Sequence, residues 1–275
     1  KILIIFLLIP LLHHSQQYGN EWINYSQQYF KFPIYKTGIH RLEYNTIKIT
    51  LFQSGVDIST ITTNEFQVFG KEKEVAIHIE DEDGNGFLNG DDYIEFYAEK
   101  NTSWLDSLVY TSPEYVTDPY YSLFNDTIRY YLTWTSQGGA QRMIKEDSIN
   151  FNSFSPRNYC WNKNYVKFFS NYTFGEQEEG LSSPLFEQGE GWVGPVLTKG
   201  NSNSVNISSE NVYSSGPSSK ARVTIISSNS AEVLPPVTPP PPNHNTKLYF
   251  NNLPIVDTSY YGYDKINFSF PVNVN

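Results

Sequence analysis

The sequence predicts an all-β chain with one minor helix, arranged as two β units, the second a β-sandwich or jelly roll. Three observations predict it. Runs of four to eight residues rich in Phe, Tyr, Val, Ile and Thr recur along the chain and alternate apolar with polar positions, the period of a half-buried strand. Clusters of Gly, Asn, Ser and Pro separate these runs and supply turn chemistry. A total of 21 Tyr and 18 Phe against a charged fraction of 17% gives enough apolar surface to build cores, which excludes a largely unstructured chain.

In chain order, Phe30–Tyr35 and Ile39–Tyr44, separated by Thr37-Gly38, have the pattern of a β-hairpin. Asn45–Gln53 is the one helical segment: Ile47, Leu51 and Phe52 fall on one side, and Gly55 follows as a stop. Phe66–Gly70, Glu74–Glu80, Asp92–Ala98 and Ile128–Trp134 are predicted strands. In the last, Ile128, Tyr130, Leu132 and Trp134 define a buried face and Arg129, Tyr131 and Thr133 a wetter one. The second unit continues with strands at Asn164–Ser170, Ala221–Ser227, Thr246–Asn251 and Lys265–Val272. Gly200–Ser208 and Ser214–Ser219 are predicted loops, and Leu234–Pro242 is a stiff polyproline spacer. The domain reading is therefore 1–17, 18–146 and 147–275.

Residues 1–17 carry the targeting signal. Lys1 precedes eleven apolar residues, Ile2–Leu12, and then polar His13–Gln17, a run too short to span a bilayer and matching the core of a secretory signal peptide. The expected protein is exported to the cell surface, the outer membrane or the medium, with no transmembrane span in the mature chain. The first residue is Lys and the last residues, Pro271–Asn275, stop within an alternating pattern, so the sequence is read as a piece of a longer protein. A net charge of −10 leaves no basic surface for a nucleic-acid backbone, which excludes nucleic acid as a partner. One cysteine excludes a disulfide-stapled fold.

The segment with the most chemistry is Asp81–Asp92. Asp81, Asp83, Asn85, Asn89 and Asp92 occupy positions 1, 3, 5, 9 and 12 of a loop, with Gly86 at the sharp turn and the carbonyl of Phe87 at position 7. Ca²⁺ needs six to eight oxygens at about 2.3–2.6 Å, and this spacing wraps oxygen donors around one point. The pattern is that of an EF-hand-type or dockerin-type loop, with Asp92 where such loops usually carry Glu, and with predicted strands in place of flanking helices. The competing interpretation is a solvated Asp/Asn/Gly turn. The expected metal ligands are Asp81, Asp83, Asn85, Phe87, Asn89 and Asp92, the cofactor a structural Ca²⁺.

The remaining candidates point to packing. His40, His78 and His244 lack a second ligand at zinc spacing. Cys160, between Tyr159 and Trp161, has the surroundings of a buried, inert thiol. Trp192 after Glu190-Gly191, and Tyr260–Tyr263 around Gly262, read as rings packed beside turns. Were Trp104 or Trp192 exposed, either could instead stack on a sugar.

Several stretches are similar to a known family. Trp22–Tyr25, Tyr29–Phe32, Gly38–Leu42, Phe66–Gly70 and Asp91–Tyr97 resemble the N-terminal region of gingipain-like cysteine peptidases. The likeness is nearest to the sortase-like members of the type IX secretion system of Bacteroidetes. Gly189–Trp192, His244–Asn251 and Asp257–Tyr263 look like the β-sandwich region that precedes the peptidase domain there. The resemblance implies a non-catalytic N-terminal portion that supports a downstream peptidase domain of the same chain, with substrate proteins or the secretion machinery as further partners. No catalytic residue carries over, and Cys160 is not in the family's catalytic context. The alternative is a secreted all-β binding or adhesion module, possible ligands being carbohydrates.

Overall fold

A computed structural model describes residues 19–146, 152, 154–175, 184–227 and 239–273. The signal segment and most of the polyproline stretch lie outside the described residues. Among the described residues the chain is all-β with one α-helix, and it divides into two units. The first runs through Lys100 and includes Thr127–Glu146; the second comprises Asn101–Asp126 and the described residues from 152 onward. Residues 101–126, placed in the first domain by sequence, thus group with the second unit.

The first unit has strands β1 (Phe30–Ile34), β2 (Gly38–Glu43), β3 (Phe66–Gly70), β4 (Lys73–Val75), β5 (Ile77–Glu80), β6 (Tyr93–Ala98) and β7 (Ile128–Trp134). They form a four-stranded sheet of order β1-β7-β3-β4 and a three-stranded sheet of order β2-β6-β5, with every pair antiparallel. Helix α1 (Tyr44–Gln53) follows β2 and buries Ile47 and Leu51. One core joins both sheets and the helix: Phe66, Val68 and Leu132 from the first sheet meet Ile77, Ile94 and Phe96 from the second. Phe96 lies edge-on to Phe32 at 5.7 Å and stacked with Tyr130 at 6.2 Å, geometries that add to simple burial.

The predicted hairpin of the first two strands is not formed. β1 pairs with β7 and β2 with β6, so the two strands enter different sheets. Pro33 cannot donate to a ladder, and β1 takes an edge position with β7 as its single neighbour. The segment predicted as one strand from Glu74 to Glu80 breaks at Ala76, which lets β4 finish one sheet and β5 start the other. The predicted wetter face of β7 is exposed only at Arg129. Thr133 is buried and its hydroxyl donates to the Gln28 carbonyl at 2.7 Å, while Trp22 covers Tyr131 and Phe69 at 5.1 and 5.3 Å.

Gly70 is required by close approach. A Cβ there would stand 2.1 Å from the Tyr130 ring. Immediately beyond it, Lys71 and Glu72 both have positive φ, the two-residue turn that matches the twist of a hairpin.

The second unit has β8 (Asn171–Thr173), β9 (Gly191–Val193), β10 (Ser219–Ile226), β11 (His244–Phe250), β12 (Leu253–Tyr260) and β13 (Lys265–Val272). These pair as three two-stranded antiparallel ladders, β8-β9, β10-β13 and β11-β12, which do not merge into a larger sheet among the described residues. Asn164–Ser170, expected as a strand, is not one; the strand forms later, at β8. Away from the ladders the chain is held by polar bonds. The buried Asp106 carboxylate accepts from the Ser122 hydroxyl at 3.1 Å and the Leu123 N–H at 2.7 Å, and the Tyr110 hydroxyl donates to the Glu190 carbonyl at 2.7 Å.

Candidate metal centre

The Asp81–Asp92 loop connects β5 to β6, which pair from Ile77↔Phe96 to Glu80↔Tyr93. It therefore closes a β-hairpin, as its flanks predict. Gly84, Gly86 and Gly90 all have positive φ. At Gly86 a Cβ would meet nothing within 4 Å, so glycine is required there by backbone conformation alone.

The loop carboxylates hold its backbone. Asp81 accepts from the N–H of Asn85 (3.2 Å) and Gly86 (2.8 Å). Asp83 accepts from the Asn85 N–H (3.1 Å), its Nδ2 (2.8 Å) and the Asn89 Nδ2 (3.3 Å). The Asn85 Oδ1 accepts from the Phe87 N–H at 2.8 Å, and the Phe87 carbonyl accepts from the Asn89 Nδ2 at 3.3 Å. The Asp83 carboxyl is held below its ordinary value, chiefly by the backbone N–H of Asn85, with the Asn89, Asp81 and Asn85 side chains adding to it.

Asp92 works from the other side. It is 3% exposed, and its two oxygens take the N–H of Glu82 at 3.0 Å and of Asn89 at 2.8 Å, pinning both arms of the loop. Its carbonyl accepts from the Tyr44 N–H at 3.0 Å, which ties the loop to the start of α1. Leu88 is buried in the core, and the Thr63 N–H donates to the Gly86 carbonyl at 2.9 Å.

Hydrogen bonds thus link Asp81, Asp83, Asn85, Phe87 and Asn89, all of them oxygen donors suited to a hard cation. Asp92 is joined to them through the Asn89 backbone. Among the described residues, no three His, Cys, Asp or Glu side chains gather to hold a metal, so an ion in this loop would have to draw on the amide and carbonyl oxygens as well. Asn89 directs its Nδ2 at Asp83, and a cation would require that amide to turn over and present its oxygen. Sequence reasoning missed Arg142, which lines a hollow of about 230 Å³ together with Asp81 and His78. Its guanidinium donates to the Thr63 carbonyl at 2.8 Å, and burial holds its pKa below the ordinary value, with the charge of Glu74 opposing that shift. No signal near Asp81 in the sequence points to a residue so far along the chain.

The other candidates divide. Cys160 is exposed, which corrects the expectation of a buried thiol: its aromatic neighbours pack against each other, Tyr159 edge-on to Trp161 at 5.9 Å, and do not enclose it. Trp192 is exposed, while its indole donates to the Leu123 carbonyl at 3.2 Å and lies edge-on to Tyr172 at 5.4 Å. Trp104 is half-buried. The Tyr263 hydroxyl donates to the Gln188 carbonyl at 2.9 Å beside Gly189. His40 stacks on Phe96, His78 bonds Glu80 at 3.0 Å and His244 stacks on Tyr260.

The fold and loop define an antiparallel β protein with an oxygen-rich hairpin turn. No family model, curated protein or solved structure matches the chain.

Proposed function

We propose that this chain is the non-catalytic N-terminal part of an exported, gingipain-like cysteine peptidase associated with type IX secretion. Its role is to support the peptidase domain that follows in the same protein, with its first unit stiffened by a structural Ca²⁺ in the Asp81–Asp92 loop. One observation supports the supporting role most: in the first unit, the stretches that carry the family resemblance are framework. Trp22 and Tyr29 build the aromatic layer over Phe69. Phe66–Gly70 is β3, whose Phe66 and Val68 are core residues, and Tyr93–Tyr97 lies in β6, which contributes Ile94 and Phe96. Residues whose work is packing suit a scaffold better than a reaction centre.

The Ca²⁺ reading draws on the same unit. The loop is anchored at its ends by Asp92 and in the core by Leu88, so its backbone is held in place while the Asn89 amide turns over and the Asp81 and Asp83 carboxylates exchange backbone N–H partners for an ion. The peptidase reading is tested by the coding sequence beyond Asn275: about 300–500 further residues holding a Cys/His peptidase domain support it, and a frame that closes within a strand or two overturns it.

A further inference from the structure

The second unit carries a surface that the proposed role does not use. Trp161 is 64% exposed, although a ring of that size is ordinarily covered. It borders a cleft of about 310 Å³ lined also by Asn162, Ser219 and Lys220, within the size of small-ligand sites. Tyr159, edge-on to Trp161, is itself stacked on Tyr213 at 6.1 Å with the rings 13° apart. Trp161, Tyr159 and Tyr213 thus form a run of exposed rings in mutual contact.

The charge at this surface runs against that of the chain, whose net charge is −10. Lys220 and Arg222 are exposed on the same face of β10, two residues apart. A further cation, Lys163, sits 3.2 Å over the Tyr120 ring, which is stacked on Tyr165 at 6.1 Å. The Tyr120 hydroxyl is held below its ordinary value, first by its bond with Lys163 and further by the charges of Lys163 and Arg222, so these three cationic and aromatic groups lie in one field.

We infer that the Trp161 cleft and the exposed face of β10 form a binding surface for an acidic polysaccharide, a chain of sugar rings bearing carboxylates. A pyranose ring presents a C–H face that lies flat on an indole, and its hydroxyls find donors and acceptors in Asn162 and Ser219. Its carboxylate meets Lys220 or Arg222, the latter able to bind it with two parallel hydrogen bonds. A neutral glycan leaves these cations unused. A polynucleotide also carries one negative charge per unit, so net charge does not separate it from an acidic polysaccharide, and it is the alternative that an oligo-dT competitor tests. This inference is independent of the peptidase reading.

The test is affinity electrophoresis of the 275-residue chain at pH 7 in gels containing polygalacturonate, with dextran gels and an oligo-dT competitor alongside. The expected result is retardation by polygalacturonate alone, weakened by salt, with affinity reduced about tenfold in Trp161→Ala and clearly reduced in the double variant Lys220→Gln/Arg222→Gln. Tyr249→Ala, an exposed ring on β11, should bind as the parent does. Because these side chains are exposed, melting temperatures should be unchanged. The inference is overturned by absent retardation, by equal retardation in dextran, by displacement with oligo-dT at matched charge, or by binding that survives Trp161→Ala.

Discussion

Asp92 offers the sharpest test of how the loop is held. Replacing it with Ala removes two charge-assisted hydrogen bonds, to the N–H of Glu82 and of Asn89, at a site only 3% exposed. Each is worth about 1.5–3 kcal/mol, and each freed N–H is left poorly hydrated, so the cost is about 3–5 kcal/mol. Asp92→Asn keeps the shape and one acceptor and should cost about half of that. The bond from the Tyr44 N–H to the residue 92 carbonyl is made by backbone and survives both changes. The assay is urea unfolding at pH 7 in EDTA, which separates the clamp from any effect of a cation. Against a typical domain stability of about 5–15 kcal/mol, the Ala variant should shift the midpoint strongly. A loss below about 1 kcal/mol would refute the claim that Asp92 pins the loop.

Three further outcomes are expected. Ca²⁺ should raise the melting temperature of the chain at pH 7, EDTA should reverse it, and Asp81→Asn/Asp83→Asn should abolish the response. Because the folded Asp83 carboxyl lies below its ordinary value, its contribution to stability is present at neutral pH and is lost as pH falls through that depressed value; a Ca²⁺ response that persists in the double variant argues against the site. Gly70→Ala should destabilise by about 1–3 kcal/mol, since its Cβ would overlap the Tyr130 ring and force β3 or β7 to shift; an unchanged denaturation midpoint refutes that overlap. Cys160 should react fully with a thiol reagent in the native state, and labelling that requires denaturant contradicts its exposure.

The fold class was legible because period-2 alternation is written locally: β3, β7 and β13 lie at the predicted positions, and α1 begins one residue before its predicted start. Pairing was not legible, since β1 and β2 choose partners about a hundred and about fifty residues away. Those choices depend on which aromatic faces meet in the core. β12 was missed although a signal was present: Asn251 and Asn252 both take positive φ, forming a two-residue hairpin turn after β11. The hairpin loop was legible because its residues are consecutive and its glycines are required by φ. Arg142 and the Trp161 cleft were not, because chain segments far apart in sequence bring their walls together.

The most direct test of the proposed role is to produce the protein encoded by the complete reading frame, together with a version lacking residues 19–275, and to measure soluble yield and thiol-dependent cleavage of a protein substrate. The account predicts cleavage by the complete protein that is blocked by a thiol reagent and unaffected by Cys160→Ser, with the shortened version insoluble or inactive. A complete protein without thiol-dependent cleavage, or a shortened one that folds and cleaves as well, would contradict it.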